Sequence, residues 1–192
     1  MATPSETKVI DGEFAWVGPT GFDVGNVLAH FVIAWFAKPF HGGSPNEVAA
    51  YRAGLESDLV AFWRLFRRRF LELAGPAAHG GDGLPTTHFG DPAGAARRAT
   101  LLEAYVEDVL RDAIGFLAVE LVRRILGFAQ VADFLVIEDL DAQALAKARA
   151  LSFARALLVE PQPYRYVATL VAALKDFDAA GLDPGLDLAR RA

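Results

Sequence analysis

Two carboxylates, Asp11 and Glu13, stand just past the strand-like run Lys8-Val9-Ile10, with Gly12 between them. A carboxylate at a strand end, followed by a turn and a second carboxylate, is a donor set for a hard divalent cation. Mg²⁺ takes oxygen ligands and is held by one or two carboxylates together with substrate phosphates. An Asp just after a strand is one way of bridging nucleotide phosphates through such an ion. The same residues also make a type I′ hairpin turn centred on Asp11-Gly12, and the pattern leaves both readings open. Trp16 lies between Phe14 and the breakers Gly18-Pro19. An aromatic there either walls a small-molecule pocket or simply packs. Asp23, in Gly21-Phe22-Asp23-Val24-Gly25-Asn26, reads as a structural residue: a helix N-cap or a buried brace for nearby loop amides.

Arg123 and Arg124 are the second place where chemistry is plausible. They sit in Glu120-Leu121-Val122-Arg123-Arg124-Ile125-Leu126-Gly127, between apolar neighbours. Adjacent helix residues point about 100° apart, so at most one of the two follows the apolar face. A guanidinium entering a cleft binds hydroxyls, carboxylate or phosphate through its planar donor fork. The competing reading is a snorkelling or salt-bridged pair. Arg67-Arg68-Arg69 fans around a helix and reads as a solvated face. The four histidines show no metal-ligand spacing; His30 reads as a packed core residue, and His79 and His88 as loop residues.

These residues are carried by a chain of 192 residues with 19 Lys plus Arg against 24 Asp plus Glu, giving a net charge of −5. That length fits one domain. Hydrophobic residues make up 53%, enough for a core and too many for bulk disorder. The absence of cysteine excludes disulfides, thiolate-ligated zinc, iron–sulfur chemistry and a thiol nucleophile. The acidic balance argues against nucleic acid as a partner. The longest apolar stretch, Val27 to Ala37, has eleven residues and contains His30, whereas a bilayer span needs about 20. The start Met1-Ala2-Thr3-Pro4-Ser5-Glu6 has neither a basic nor an apolar signal region. The expectation is a soluble, cytoplasmic protein without membrane partners.

The first 25 residues carry the β-like pattern and suggest a short hairpin; the rest is Ala- and Leu-rich with helical periodicity. Val27 to Phe36 is apolar on every face, which predicts a helix buried on most sides. Ser44-Pro45 with Glu47 forms a capping box for a helix running to about Ala74. Its apolar stripe is Leu55, Leu59, Phe62, Phe66, Phe70 and Leu73. Asp91-Pro92 opens the next helix, with periodicity to about Ala129 and a possible break at Gly115. Helices over 139–158 and 164–177 follow. The tail from Gly181 to Ala192 reads as flexible.

Two stretches carry a family resemblance. Residues 8–26, KVIDGEFAWVGPTGFDVGN, and residues 122–133, VRRILGFAQVAD, resemble segments of S-methyl-5-thioribose kinases, relatives of aminoglycoside phosphotransferases and choline kinases. The resemblance covers nearly the whole chain. It implies a mainly α architecture, the helical C-lobe of a protein-kinase-like fold, spanning residues 1–180. It implies ATP and Mg²⁺ as cofactors, with Asp11 as the metal-binding aspartate and Gly12 and Glu13 completing the nucleotide-contacting tripeptide. Glu13 is then a second metal-site carboxylate. It implies methylthioribose as the small-molecule substrate, met by Arg123, Arg124 and the loop around Trp16, with Asp23 bracing the catalytic loop. Homodimerisation is compatible with it.

The chain departs from that family in two ways. Gly12 replaces the usual proline and loosens the turn. No Gly-rich loop, phosphate-pairing lysine or His-Gly-Asp-type catalytic loop precedes Lys8, and His41-Gly42-Gly43 lacks the carboxylate. The expectation is therefore a C-terminal part of such a kinase, with the catalytic Asp upstream of the chain and no activity in the fragment by itself. The rivals are a non-catalytic all-α interaction module and a phosphotransferase for another small hydroxylated compound.

Overall fold

The computed structural model describes residues 17–74 and 84–179. Among these residues six α-helices succeed one another: α1 (Gly21–Ala37), α2 (Pro45–Leu73), α3 (Pro92–Leu126), α4 (Ala132–Leu135), α5 (Leu140–Val159) and α6 (Val167–Ala179), with short 3₁₀ turns between several of them. Among the described residues there is no strand, and the expected hairpin before Val17 lies outside them.

Local chemistry sets the helix ends. Ser44 Oγ accepts the Glu47 amide while the Glu47 carboxylate accepts the Ser44 amide, and Pro45 fills the first helical position. Asp91 and Asp139 cap α3 and α5 in the same way, through side-chain oxygens on first-turn amides. α1 begins earlier than expected. Its N-cap position is Thr20, and Asp23 lies inside the first turn, exposed. α3 passes through Gly115 unbroken for 35 residues. A mid-helix glycine costs about 1 kcal/mol relative to alanine, less than the burial of Ile114, Leu117 and Ala118 beside it returns.

α1 is the central element. Val24, Leu28, Ala29, Val32, Ile33, Trp35, Phe36 and Ala37 are all buried, and the helix packs chiefly on α3, then on α5 and α2. Val27 and His30 are exposed. With residue 34 they form the one narrow stripe of α1 left at the surface, so His30 is not a core residue. α2 lies outermost. Of its expected stripe only Leu59 is fully buried, and Leu73 is exposed at the helix end. Gly54, also in α2, has open space where a side chain would project. Gly54→Ala should therefore raise stability by about 1 kcal/mol through helix propensity alone. A thermal melt should read this as a rise of about 2–4 °C.

One polar cluster ties the outer helices to the core. Arg52 of α2 donates through both terminal nitrogens to the Asp178 carboxylate of α6, at 2.7 and 3.0 Å, and through Nε to the Trp35 carbonyl. Its guanidinium lies 3.7 Å from the centre of the Trp35 ring. Arg149 of α5 donates to the same carboxylate at 2.8 Å. Burial pushes the Asp178 carboxyl up, but the Arg52 hydrogen bonds and the two cations outweigh it and hold its pKa below the ordinary 3.8.

Candidate functional site

The segment entering α1 forms one wall of a concavity. Gly18, Pro19, Thr20, Phe22 and Asp23 enclose about 310 Å³ against Phe66 of α2. Its shape is fixed by Thr20, whose hydroxyl lies 2.8 Å from that of Tyr105 on α3. Phe22 adds an edge-on contact with Phe116 at 5.3 Å. Asp23 lines this hollow, and its carboxylate hydrogen-bonds to no other described residue. Its charge sits in the first turn of α1, where the helix dipole favours an anion. Asp11, Gly12, Glu13 and Trp16 lie outside the described residues. Among those described, no group of three or more carboxylates or histidines is placed to hold a metal ion.

The arginine pair occupies the last turn of α3, where cations suit the helix C-terminus. The chain turns off there because Gly127 brings its backbone against Arg123; a side chain would stand 2.4 Å from the Arg123 carbonyl oxygen. Both guanidiniums are anchored on Glu120, which is 4% exposed. Arg123 donates through Nε and Nη2 to the two carboxylate oxygens at 2.6 and 2.7 Å. Arg124 donates through Nε at 2.7 Å, and through Nη1 to the Ala129 carbonyl at 3.1 Å. Burial raises the Glu120 pKa, but the hydrogen bonds and charges of both arginines overcome it, and the carboxyl sits below its ordinary value. The Arg123 pKa is raised, mainly by its hydrogen bonds to Glu120.

One buried anion thus orders two cations and leaves one positive charge uncompensated. Nη1 of Arg123 and Nη2 of Arg124 have no partner among the described residues, and the two side chains are 50% and 25% exposed. A rigid pair of this kind suits a hydroxyl-rich, carboxylate or phosphate ligand. Glu120 did not stand out as an anchor in the sequence, although its spacing of three and four residues to the arginines is the helical neighbour spacing.

The two places are not adjacent. α1 and α3 run in the same direction, with Gly21 level with Val109–Ala113 and Gly25 level with Ala113–Leu117. Asp23 is therefore beside the middle of α3, about 15 Å along the helix before Arg123.

No family model matches the sequence. The chain is nevertheless similar to curated proteins over most of its length. It is 31% identical to methylthioribose kinase 1 of Oryza sativa subsp. japonica over 179 residues, 93% of this chain and 41% of that protein. It is 32% identical to the methylthioribose kinase of Escherichia coli O45:K1 over 178 residues, 91% of this chain and 41% of that protein. It is 35% identical to that of Yersinia pestis (strain Pestoides F) over 152 residues, 79% of this chain and 34% of that protein. The chain thus spans about two-fifths of the length of the relatives it matches most extensively. Plant and bacterial relatives agree, and the chain belongs to the methylthioribose kinase family.

Proposed function

We propose that this chain is the helical C-lobe of an ATP-dependent methylthioribose kinase with a protein-kinase-like fold, and that it supplies the substrate side of the reaction. The observation that carries this reading is the arginine pair at the end of α3, held on buried Glu120 with one donor group of each guanidinium without a partner among the described residues. Arg123 and Arg124 bind the hydroxyls of methylthioribose and orient its 1-hydroxyl toward the nucleotide. Trp16 walls the sugar pocket. Asp11 and Glu13, on either side of Gly12, hold Mg²⁺ and through it the ATP phosphates. Asp23 braces the catalytic loop.

Phosphoryl transfer is largely positioning and charge stabilisation. No His-Gly-Asp-type loop occurs within the 192 residues, so the chain alone contributes binding rather than turnover.

The test is a chimera in which this chain replaces the matched part of the Escherichia coli methylthioribose kinase. The chimera should phosphorylate methylthioribose. Arg124→Ala within it should raise the KM for methylthioribose about tenfold, the loss of one charged hydrogen bond, and leave that for ATP nearly unchanged. Equal effects on both KM values, or on neither, would remove the assigned role of the pair.

A further inference from the structure

A second cleft lies away from the arginine pair, between α2, α3 and the turn joining α5 to α6. Its wide part holds about 610 Å³ and is lined by Trp63, Arg67, Glu107 and Tyr166 together with Arg111 and Arg165. A narrow extension of about 50 Å³ continues from it, walled by Ile114, Gly115, Leu157, Pro161 and Tyr164. Arg111 and Arg165 line both parts and so stand at the waist between them. Arg111 precedes Arg123 by twelve residues, about 18 Å along α3. This cleft shares no lining residue with the arginine pair or with the hollow at Thr20 and Asp23, and the proposal below does not depend on the reading of that site.

The waist is cationic, and its charge is only loosely compensated. Arg165 pairs with the neutral amide of Gln162 and with no described carboxylate. Arg111 pairs with Asp108, but both partners are more than half exposed, a situation in which an ion pair holds weakly and gives way to a better anion. Tyr166, on the rim, immediately precedes the first residue of the 13-residue helix α6. The positive end of that helix therefore abuts the same space.

The narrow end has the opposite character, being lined by apolar side chains. Its glycine is not demanded by packing. A Cβ on Gly115 would meet nothing within 4 Å, whereas those on Gly21 and Gly25 would collide with α3. The helix accepts the cost of Gly115 and keeps open space there.

We propose that this cleft binds a small organic monophosphate. The phosphate lies between the Arg111 and Arg165 guanidiniums, and a short apolar group enters the pocket beside Gly115. A dianion matches two planar donor forks and a helix N-terminus better than a neutral ligand does.

Isothermal titration calorimetry on the 192-residue chain at low ionic strength tests this with n-propyl phosphate, inorganic phosphate and n-propanol. Propyl phosphate should bind saturably and at least threefold more tightly than inorganic phosphate, and propanol should not bind. Arg165→Ala should weaken propyl phosphate at least tenfold. Gly115→Leu, which places a side chain in the narrow end, should erase the advantage of propyl phosphate over inorganic phosphate while its thermal melt stays as cooperative as the parent's; Gly115→Ala should erode that advantage partially. No saturable binding, equal affinity for the two phosphates in the parent chain, or unchanged affinity in Arg165→Ala would each overturn the proposal.

Discussion

Asp178→Ala is expected to lower stability by about 3 kcal/mol, the low end of what removing one partner of a buried ion pair costs. In a chain of this size that is a fall of about 6–12 °C in Tm. The reason lies in what remains. Arg52 is 14% exposed and Arg149 24% exposed, and neither can reach water fully without breaking its own contacts. Arg52 is held on the Trp35 ring and carbonyl. Arg149 Nε is already buried without a hydrogen-bond partner among the described residues, so losing the carboxylate leaves that side chain poorly satisfied. The pH dependence has a definite sign. Because the folded carboxyl titrates below its ordinary 3.8, its contribution is fully present above that value and is lost as pH falls through the lower, folded one. The stability gap between the parent chain and Asp178→Asn should therefore be constant from neutral pH down to about 5 and should shrink at more acid pH. Urea titrations at pH 7, 5, 4 and 3 measure it. A gap that widens on acidification would mean that Asp178 does not carry the charge in this cluster.

The Asp178 cluster also marks the limit of what the sequence makes legible. Its three charged members come from α2, α5 and α6, and Arg52 and Asp178 are 126 positions apart. No local pattern links them. Where the determinants are local, the reading holds closely. Ser44, Pro45 and Glu47 form the capping box the spacing predicts, and Asp91 stands where α3 opens. The all-round apolarity of α1 matches a helix buried among several others. The expectation of a packed His30 fails because a helix apolar on nearly every face still leaves a narrow outer stripe, and one polar residue in such a run is best accommodated there.

The functional residues divide along the same line. Arg123 and Arg124 are conspicuous by type and place, yet what holds them is Glu120, one helical turn earlier. That anchor is readable from spacing once a buried acid is considered as support for exposed bases. Of the two readings that residue type allows for Asp23, the cap fails because helix α1 starts two residues before it, and a buried position fails because the residue is exposed. The acidic pair around Gly12 and the indole of Trp16 lie outside the described residues, so the nucleotide side of the proposal and the Trp16 wall of the sugar pocket rest on family resemblance. The arginine pair has geometry behind it.

Gly25→Val should be the most damaging single substitution, costing at least 3 kcal/mol or preventing folding, because it forces apart the two helices that form the spine of the molecule. Gly21 and Gly25 are four residues apart and so lie on one face of α1, and α3 crosses there in direct backbone contact. Even an alanine Cβ at position 25 would stand 2.5 Å from the Ala113 carbonyl oxygen and 3.0 Å from the Leu117 amide nitrogen. Those are main-chain atoms, so no side-chain rearrangement on α3 relieves the collision. The helices must separate, which opens voids around Leu28, Ala113 and Leu117, all fully buried. Gly115→Ala, on the partner helix, supplies the contrast. It meets open space and should stabilise by about 1 kcal/mol. Chemical denaturation of both variants separates the two roles that glycine plays in this pair of helices. A Gly25→Val chain as stable as the parent would mean that α1 and α3 do not meet in this register.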